Sequence, residues 1–189
     1  MKRKYFLPKM MAMGLVALLQ LVICQSAAAQ KEYVQQRSDY TFRTQVFSTP
    51  DDEGGAVADS IITFVTNKQG TYTLVSYTQP LDPEYWRGFG DIVEDDINFD
   101  GIPDLMICLG PTNAFGGFTY DGYAWDKELH TFVKIENFDE IMDPTFIKND
   151  KTIIGTFRVD NEYDISTYKL NKNKAVLINS EHLTRNEIE

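Results

Sequence analysis

The fold is indicated most clearly by residues 96–109, which read Asp96-Ile97-Asn98-Phe99-Asp100-Gly101-Ile102-Pro103-Asp104-Leu105-Met106-Ile107-Cys108-Leu109. The first part is rich in oxygen-bearing side chains, and the last five residues are apolar. Pro103 argues against a helix leaving the loop, and the short apolar run after it fits a buried strand. The stretch therefore predicts a tight acidic loop that leads directly into a β-strand.

The rest of the chain after residue 30 has the same short-strand character. Runs rich in Val, Ile, Thr, Tyr and Phe alternate with turns rich in Gly, Asn, Asp and Lys, which is typical of an all-β domain. Hairpin turns are predicted at 67–70 and 170–174. The predicted strands are 40–47, 60–66, 71–78, 104–109, 118–125, 131–135, 152–159, 163–170 and 175–180.

A weak internal repeat relates two groups of three predicted strands, one within 104–135 and one within 152–180. Tyr123 corresponds to Tyr168, and Phe132 to Leu177, both at an offset of 45 residues. Three-stranded meanders at this spacing resemble propeller blades, and the same pattern also fits two meanders of a β-sandwich. The sequence therefore predicts an all-β fold, either a small β-propeller-like array of antiparallel meanders or a β-sandwich.

The N-terminal residues predict export. Residues 2–9 contain four basic side chains, residues 10–23 are apolar apart from Gln20, and residues 27–29 are alanines that suit cleavage before Gln30. The apolar run is shorter than the roughly 20 residues that span a bilayer, so no transmembrane anchor is expected after cleavage. We expect a signal peptide at 1–29 and a periplasmic or secreted protein.

Cys24 offers an alternative, the lipid attachment site of a lipoprotein. Ile23 stands where such signals usually carry a small residue, so lipidation is not expected. The domain organisation predicted for the rest of the chain is a polar tether at 30–39, a single all-β domain at 40–183 and a frayed tail at 184–189.

The composition excludes several classes of protein. The chain of 189 residues has 18 basic and 28 acidic residues; removal of 1–29, with four basic and no acidic residues, leaves a net charge of -14. This charge disfavours a general nucleic-acid binder, and two cysteines cannot form a disulfide-rich scaffold. Phosphate-binding loops, dinucleotide-binding glycine motifs, nucleophile elbows and paired-histidine zinc motifs are missing from the sequence, so no enzymatic activity is predicted.

The acidic loop has the pattern D-x-N-x-D-G-x-x-D, which predicts a calcium site. Calcium takes six to eight oxygen ligands, and side chains at alternate positions of a tight loop can converge on the ion. Ile107 stands where an EF-hand has its bidentate glutamate, which predicts an affinity near the roughly 10⁻⁴–10⁻³ M range of extracellular calcium modules. The predicted ligands are Asp96, Asn98, Asp100, the backbone carbonyl of Ile102, and Asp104 directly or through water.

Residues 110–123 form a second conspicuous stretch, rich in glycine and aromatic residues. Aromatic side chains next to glycine in a loop are good anchors for a protein interface. Trp86 lies in a separate aromatic segment, 83–90. The predicted partner-binding residues are Asn113, Phe115, Tyr120, Asp121 and Trp86.

The acidic loop, the Gly/Asn-containing loop after it and the segment from Tyr123 to Asp126 together resemble small exported bacterial proteins related to FG-GAP and VCBS repeats. That group includes periplasmic immunity proteins that inhibit lysozyme-type cell-wall hydrolases. The resemblance covers about residues 90–180 and implies a small five-bladed β-propeller with calcium in the acidic loop. It also implies a protein-binding, inhibitory function.

Two functions therefore remain open from the sequence. One is a calcium-binding, monomeric protein-binding module whose acidic surface would attract a basic cell-wall hydrolase or another exported protein. The other is a carbohydrate or surface-glycan binding module in which Trp86 and Trp125 stack on sugar rings.

Overall fold

The computed structural model describes residues 31–37, 40–50, 56–81, 88–111 and 117–188. The predicted signal peptide, 1–29, lies outside these residues. The described part contains a short 3-10 helix at Phe138–Glu140 and one short α-helix, α1 (Arg185–Ile188). Its strands are β1 (Lys31–Arg37), β2 (Tyr40–Pro50), β3 (Ala56–Thr66), β4 (Thr71–Leu81), β5 (Ile92–Asp95), β6 (Asp104–Pro111), β7 (Phe118–Asp126), β8 (Thr131–Lys134), β9 (Thr145–Ile147), β10 (Thr152–Val159), β11 (Glu162–Leu170) and β12 (Ala175–Thr184).

The strands form three antiparallel sheets of four strands each, in which strands consecutive in sequence are neighbours in space. Sheet 1 contains β1–β4, sheet 2 contains β5–β8, and sheet 3 contains β9–β12. The predicted all-β class is confirmed. All nine predicted strands are present, and β10 has the predicted bounds.

The three sheets pack as layers, with sheet 2 in the middle. One core cluster joins Phe42 and Ile61 of sheet 1 to Leu105 and Ile107 of sheet 2. A second cluster joins the opposite face of sheet 2 to sheet 3 through Met106, Ile153 and Tyr168, among others. Because strand β6 is covered on both faces, it is buried from Asp104 to Gly110, which accounts for its continuous apolar run.

The hairpin between β3 and β4 shows how a turn residue sets the strand pairing. The carboxamide oxygen of Asn67 accepts hydrogen bonds from the N–H groups of Gln69 and Gly70, at 2.9 and 3.1 Å. The backbone N–H of Asn67 donates to the Gly70 carbonyl at 2.9 Å. In such turns the asparagine side chain accepts N–H groups that have no partner in the strands. These hydrogen bonds confirm the predicted turn at 67–70.

Three strands were not predicted. The predicted tether at 30–39 was wrong for Lys31–Arg37, since these residues form β1 and pair with β2 along their whole length. An edge strand has one side open to solvent and can therefore be polar. The polar composition of β1 made it resemble a linker. Strands β5 and β9, with 4 and 3 residues, are too short for a recognisable pattern.

The predicted frayed tail also differs from the structure. Residues Arg185–Ile188 form a single helical turn. The N–H and the hydroxyl of Thr184 both donate to the Glu187 carboxylate, at 2.7 and 2.8 Å, which caps this turn. Within the described residues, no helix is long and apolar enough to cross a membrane.

Candidate metal loop and partner-binding residues

The predicted metal loop, 96–103, connects β5 to β6 and is folded by its own side chains. The Asp96 carboxylate accepts the N–H groups of Asp100 and Gly101, at 2.9 and 3.0 Å. The carboxamide oxygen of Asn98 accepts the Asp100 N–H, and the Asp100 carboxylate accepts the Ile102 N–H, both at 2.9 Å. The three predicted side-chain ligands at loop positions 1, 3 and 5 are therefore all turned back onto the loop backbone.

Gly101 is required by the backbone of this loop. Its φ is 85°, in the left-handed region that glycine occupies without steric cost. A Cβ at this position would meet no atom within 4 Å, so backbone conformation rather than crowding favours glycine. The predicted sharp turn at Gly101 is confirmed.

Asp104, the fifth predicted ligand, has a different environment. Its side chain is completely buried, and it accepts the N–H groups of Ile97 and Asn98 at 3.0 and 3.1 Å and that of Trp125 at 2.8 Å. Burial raises the pKa of this carboxyl to about 6, although the three N–H donors favour the ionised form. Asp104 thus ties the loop to strand β7, a role that the spacing alone could not reveal.

The donor set fits calcium in its chemistry, because carboxylate and amide oxygens are the ligands that this hard cation prefers. Two observations restrict the fit. Among the described residues, no three His, Cys, Asp or Glu side chains converge closely enough to hold a metal ion. The second carboxylate oxygen of Asp100 also lies 3.2 Å from the Lys127 ammonium. Calcium binding would therefore require Asp100 to turn from Lys127 towards the loop centre.

Of the predicted partner-binding residues, Trp86, Asn113 and Phe115 lie outside the described residues. Tyr120 is half-buried, and burial raises its pKa to about 12. Asp121 was predicted wrongly as a surface contact, because its side chain is only 1% exposed. Strand alternation puts it on the face of β7 that is covered by sheet 1, and the Lys134 ammonium lies 2.9 Å from its carboxylate.

Asp121 belongs to a polar contact between sheets 1 and 2 that was not predicted. The Tyr123 hydroxyl lies 3.0 Å from the Ser76 hydroxyl and donates to the Val75 carbonyl at 2.8 Å. Burial raises the pKa of Asp121 despite the opposing effects of Lys134 and Ser76. The sequence held one signal for this contact. Asp121 and Tyr123 are two residues apart in a strand, so their side chains lie on the same face of the sheet.

Two further side chains lie near these sites. Cys108 is buried, and burial raises the pKa of its thiol to about 11, so the reactive thiolate is disfavoured. Trp125, the candidate sugar-stacking residue, packs edge-to-face against Phe132 and Tyr72 with ring centroids 5.0 and 5.6 Å away. Its ring is therefore used in packing between sheets 1 and 2.

Comparisons with known proteins identify the fold alone. No protein-family model and no curated protein matches the chain. A solved structure described as that of a Xanthomonas type IV secretion system related protein is similar, with a TM-score of 0.57 and 22% sequence identity. The match covers 86% of this chain and 87% of that one. The chain therefore shares its overall fold with that protein.

Proposed function

We propose that this protein is an exported β-domain that binds calcium in the loop 96–104 and recognises a protein partner through the connection between β6 and β7. The partner class that fits best is a basic cell-wall hydrolase, and the activity to test is its inhibition. The three meandering sheets would act as successive blades of a propeller-like array, an organisation that the internal repeat implies for sheets 2 and 3.

The observation that carries the calcium proposal is the way Asp96, Asn98 and Asp100 fold the loop. Each of these side chains accepts an N–H from within the loop at 2.9–3.0 Å, so three oxygen-bearing side chains are held on one short turn. Six acidic residues lie between Asp91 and Asp104 with no basic residue among them. A divalent ion would offset the repulsion among these charges.

Export is supported by the basic, apolar and alanine-rich order of residues 1–29. The structural neighbour is described as a secretion-system related protein, which agrees with an exported protein. The partner proposal is supported by the strongly acidic composition, because a net charge of -14 after cleavage would attract a basic protein and speed its association.

Calcium binding is tested by thermal and urea unfolding of chelator-treated protein with and without added calcium. At about ten to a hundred times its dissociation constant, calcium should raise the free energy of unfolding by about 1.4–2.7 kcal/mol. Asp96→Ala should abolish this increase. Asp126→Ala is the matched control, because Asp126 also accepts two backbone N–H groups, from Glu128 and Leu129, but lies outside the loop.

The control separates loss of the ion from loss of a turn. Both substitutions should lower stability in the absence of calcium, since each removes hydrogen bonds to two N–H groups. Only Asp126→Ala should retain the calcium-dependent increase. An unfolding curve of the unmodified protein that does not respond to calcium would contradict the proposal.

Partner binding is tested by turbidity assays of lysozyme-type hydrolases on cell-wall substrate, together with pull-downs from the native envelope. Phe115→Ala and Asn113→Ala should each weaken inhibition without changing thermal stability. Leu129→Ala is the control, since Leu129 is 67% exposed and lies in the turn between β7 and β8, at the other end of sheet 2. Undiminished hydrolase activity with excess protein would argue against an inhibitor.

A further inference from the structure

A cleft of about 550 Å³ lies between sheets 2 and 3, beside their edge strands β5 and β9. Its apolar walls include Met106, Tyr120 and Phe146, and the charged groups that line it among the described residues are Asp95, Asp143 and Lys148. Sites for small molecules usually have about 300–1,000 Å³ and combine apolar walls with a few polar groups. The cleft therefore has the size and the mixed lining of a ligand site.

The two walls are held in place by contacts with neighbouring strands and loops. The ring of Phe146 packs edge-to-face against Phe99, with centroids 6.3 Å apart. On the other side, the Asp143 carboxylate accepts the Phe118 N–H, and the Asp143 N–H donates to the Phe118 carbonyl, both at 2.8 Å. A ligand would thus enter a cleft that is already formed, which reduces the entropy lost on binding.

The charged groups define which ligand fits. One oxygen of Asp95 accepts the Asp96 N–H at 2.7 Å, so both carboxylates in the cleft are oriented by backbone donors. Lys148 is exposed and forms no ion pair with any of the described residues. The two aspartates outnumber Lys148, so the lining repels an anionic ligand, and Lys148 weakens its attraction for a cationic one. Because the carboxylates accept hydrogen bonds and the ammonium donates them, the lining suits a ligand that carries both donors and acceptors.

Aromatic rings restrict the choice further. Tyr120 and Phe146 are both half-buried in the cleft, so part of each ring remains accessible. Sugars present apolar C–H faces that can pack on aromatic rings, together with hydroxyl groups that donate to carboxylates and accept from ammonium groups. We propose that the cleft binds a short neutral oligosaccharide, packed on Tyr120 and Phe146 and hydrogen-bonded to Asp95, Asp143 and Lys148.

This site borders the proposed calcium loop, because Asp95 precedes Asp96 and Phe146 packs on Phe99, but it uses none of the proposed metal ligands. It shares Tyr120 with the predicted partner-binding residues and uses no residue of the connection between β6 and β7. Isothermal titration calorimetry and ligand-observed NMR can test it with three probes. Chitotriose and maltotriose are neutral trisaccharides, and trialanine is a zwitterionic peptide of similar length. At least one of the trisaccharides should bind, and trialanine should bind more weakly or not at all.

Variants locate the binding. Lys148→Gln and Asp143→Asn should each weaken trisaccharide binding by about tenfold, because each replaces a charged hydrogen-bonding group by a neutral one. Phe146→Leu keeps an apolar wall but removes the ring, and should weaken binding by about fivefold, the value of a modest aromatic contact. Lys169→Gln and Asp160→Asn change exposed residues of sheet 3 away from the cleft and should leave binding unchanged.

Circular dichroism and melting temperature establish whether each variant is folded, and Lys148→Gln is decisive because an exposed lysine can be replaced without disturbing the core. Three results would overturn the proposal. The first is that neither trisaccharide binds at millimolar concentration. The second is that trisaccharide binding is unchanged by both Lys148→Gln and Phe146→Leu. The third is tighter binding of trialanine through the same residues, which would identify a peptide site.

Discussion

Sheets 2 and 3 use the same meander but bury equivalent residues differently. Tyr123 and Tyr168, related by the 45-residue offset, are both buried, with 4% and 7% exposure. Phe132 is 7% exposed, whereas its counterpart Leu177 is 52% exposed. Among the described residues, sheet 2 is covered on both faces and sheet 3 on one. The burial of equivalent residues therefore depends on the number of packed layers more than on the local sequence pattern.

The connections of the two sheets differ as well. The acidic loop 96–103 joins β5 to β6, whereas four residues, 148–151, join β9 to β10. Strands β6 and β10 begin with Asp104 and Thr152. The residue after each of them pairs with one of the equivalent tyrosines, Tyr123 in sheet 2 and Tyr168 in sheet 3. The candidate metal loop is therefore a longer version of a connection that both sheets contain. It lies in the central sheet, where Asp104 is buried.

The largest difference between the two sheets is expected for Phe132→Ala and Leu177→Ala. Phe132 packs against Trp125, Tyr72 and Tyr40 with ring centroids 5.0–6.1 Å away, so its removal leaves a cavity between sheets 1 and 2. We expect Phe132→Ala to lower the free energy of unfolding by about 3–5 kcal/mol. Leu177→Ala should lower it by less than about 1 kcal/mol, and urea unfolding measures both. Equal losses would contradict the layered arrangement.

Much of this architecture could be predicted from the sequence. The alternation and turn signals located nine strands and the hairpin at 67–70, because these features are local. The repeat could relate Tyr123 to Tyr168 but could not distinguish Phe132 from Leu177, since their difference comes from sheet 1, which has no sequence counterpart in the repeat. Edge strand β1 was missed for the related reason that its polar residues resemble those of a linker.

The sequence predicted some features of the candidate site and missed others. The spacing of Asp96, Asn98 and Asp100 predicted a tight loop, and these side chains do fold it, because a tight turn with a central glycine leaves few conformations. Asp104 and Asp121 were assigned to binding, yet both are buried, since the covering layer could not be read from the sequence. The cleft between β5 and β9 was not predicted, because its walls come from strands that are distant in sequence.

A smaller effect is expected where sheet 2 closely approaches the segment that packs on it. A Cβ on Gly122 would lie 2.6 Å from the Phe138 ring, whereas a Cβ on Gly155 of sheet 3 would lie 3.1 Å from the Ile141 side chain. Gly122→Ala should therefore cost about 1–3 kcal/mol, because the buried ring must move. Gly155→Ala should cost less in the same urea titration. The reverse order would show that sheet 3 packs more rigidly than sheet 2.

Asp121 should make the contribution of sheet 2 to the free energy of unfolding depend on pH. Because its pKa is raised in the folded protein, the native state retains the proton more strongly than the unfolded chain. The free energy of unfolding contributed by this group should therefore fall as pH rises from below the ordinary value of 3.8 through the raised value. Asp121→Asn should flatten this part of the stability profile, because the amide does not titrate.

The counterpart of Asp121 at the 45-residue offset is Ser166, which does not titrate and contacts Ser180 at 3.3 Å. Ser166→Ala is therefore the control for the pH profile and should leave its shape unchanged. If the pH profile of stability flattened equally in Asp121→Asn and Ser166→Ala, groups other than Asp121 would cause the pH dependence.

The smallest effect is expected at His182 on sheet 3. Its Nδ1 lies 2.7 Å from the Asp164 carboxylate, and this contact raises the pKa of the histidine above 6.5. The stabilisation should be present below the unfolded pKa and lost as pH rises through the folded pKa. His182→Gln should lower the urea midpoint slightly at about pH 5 and leave it unchanged at about pH 9. A larger loss at the higher pH would contradict this assignment.

The central claim, that the loop added to sheet 2 is a calcium site, is tested most directly by calorimetric titration of chelator-treated protein with calcium. We expect one ion per chain, a dissociation constant of about 10⁻⁴–10⁻³ M, and loss of binding in Asp96→Ala but not in Asp126→Ala. No heat of binding at millimolar calcium, or binding that survives Asp96→Ala, would contradict it.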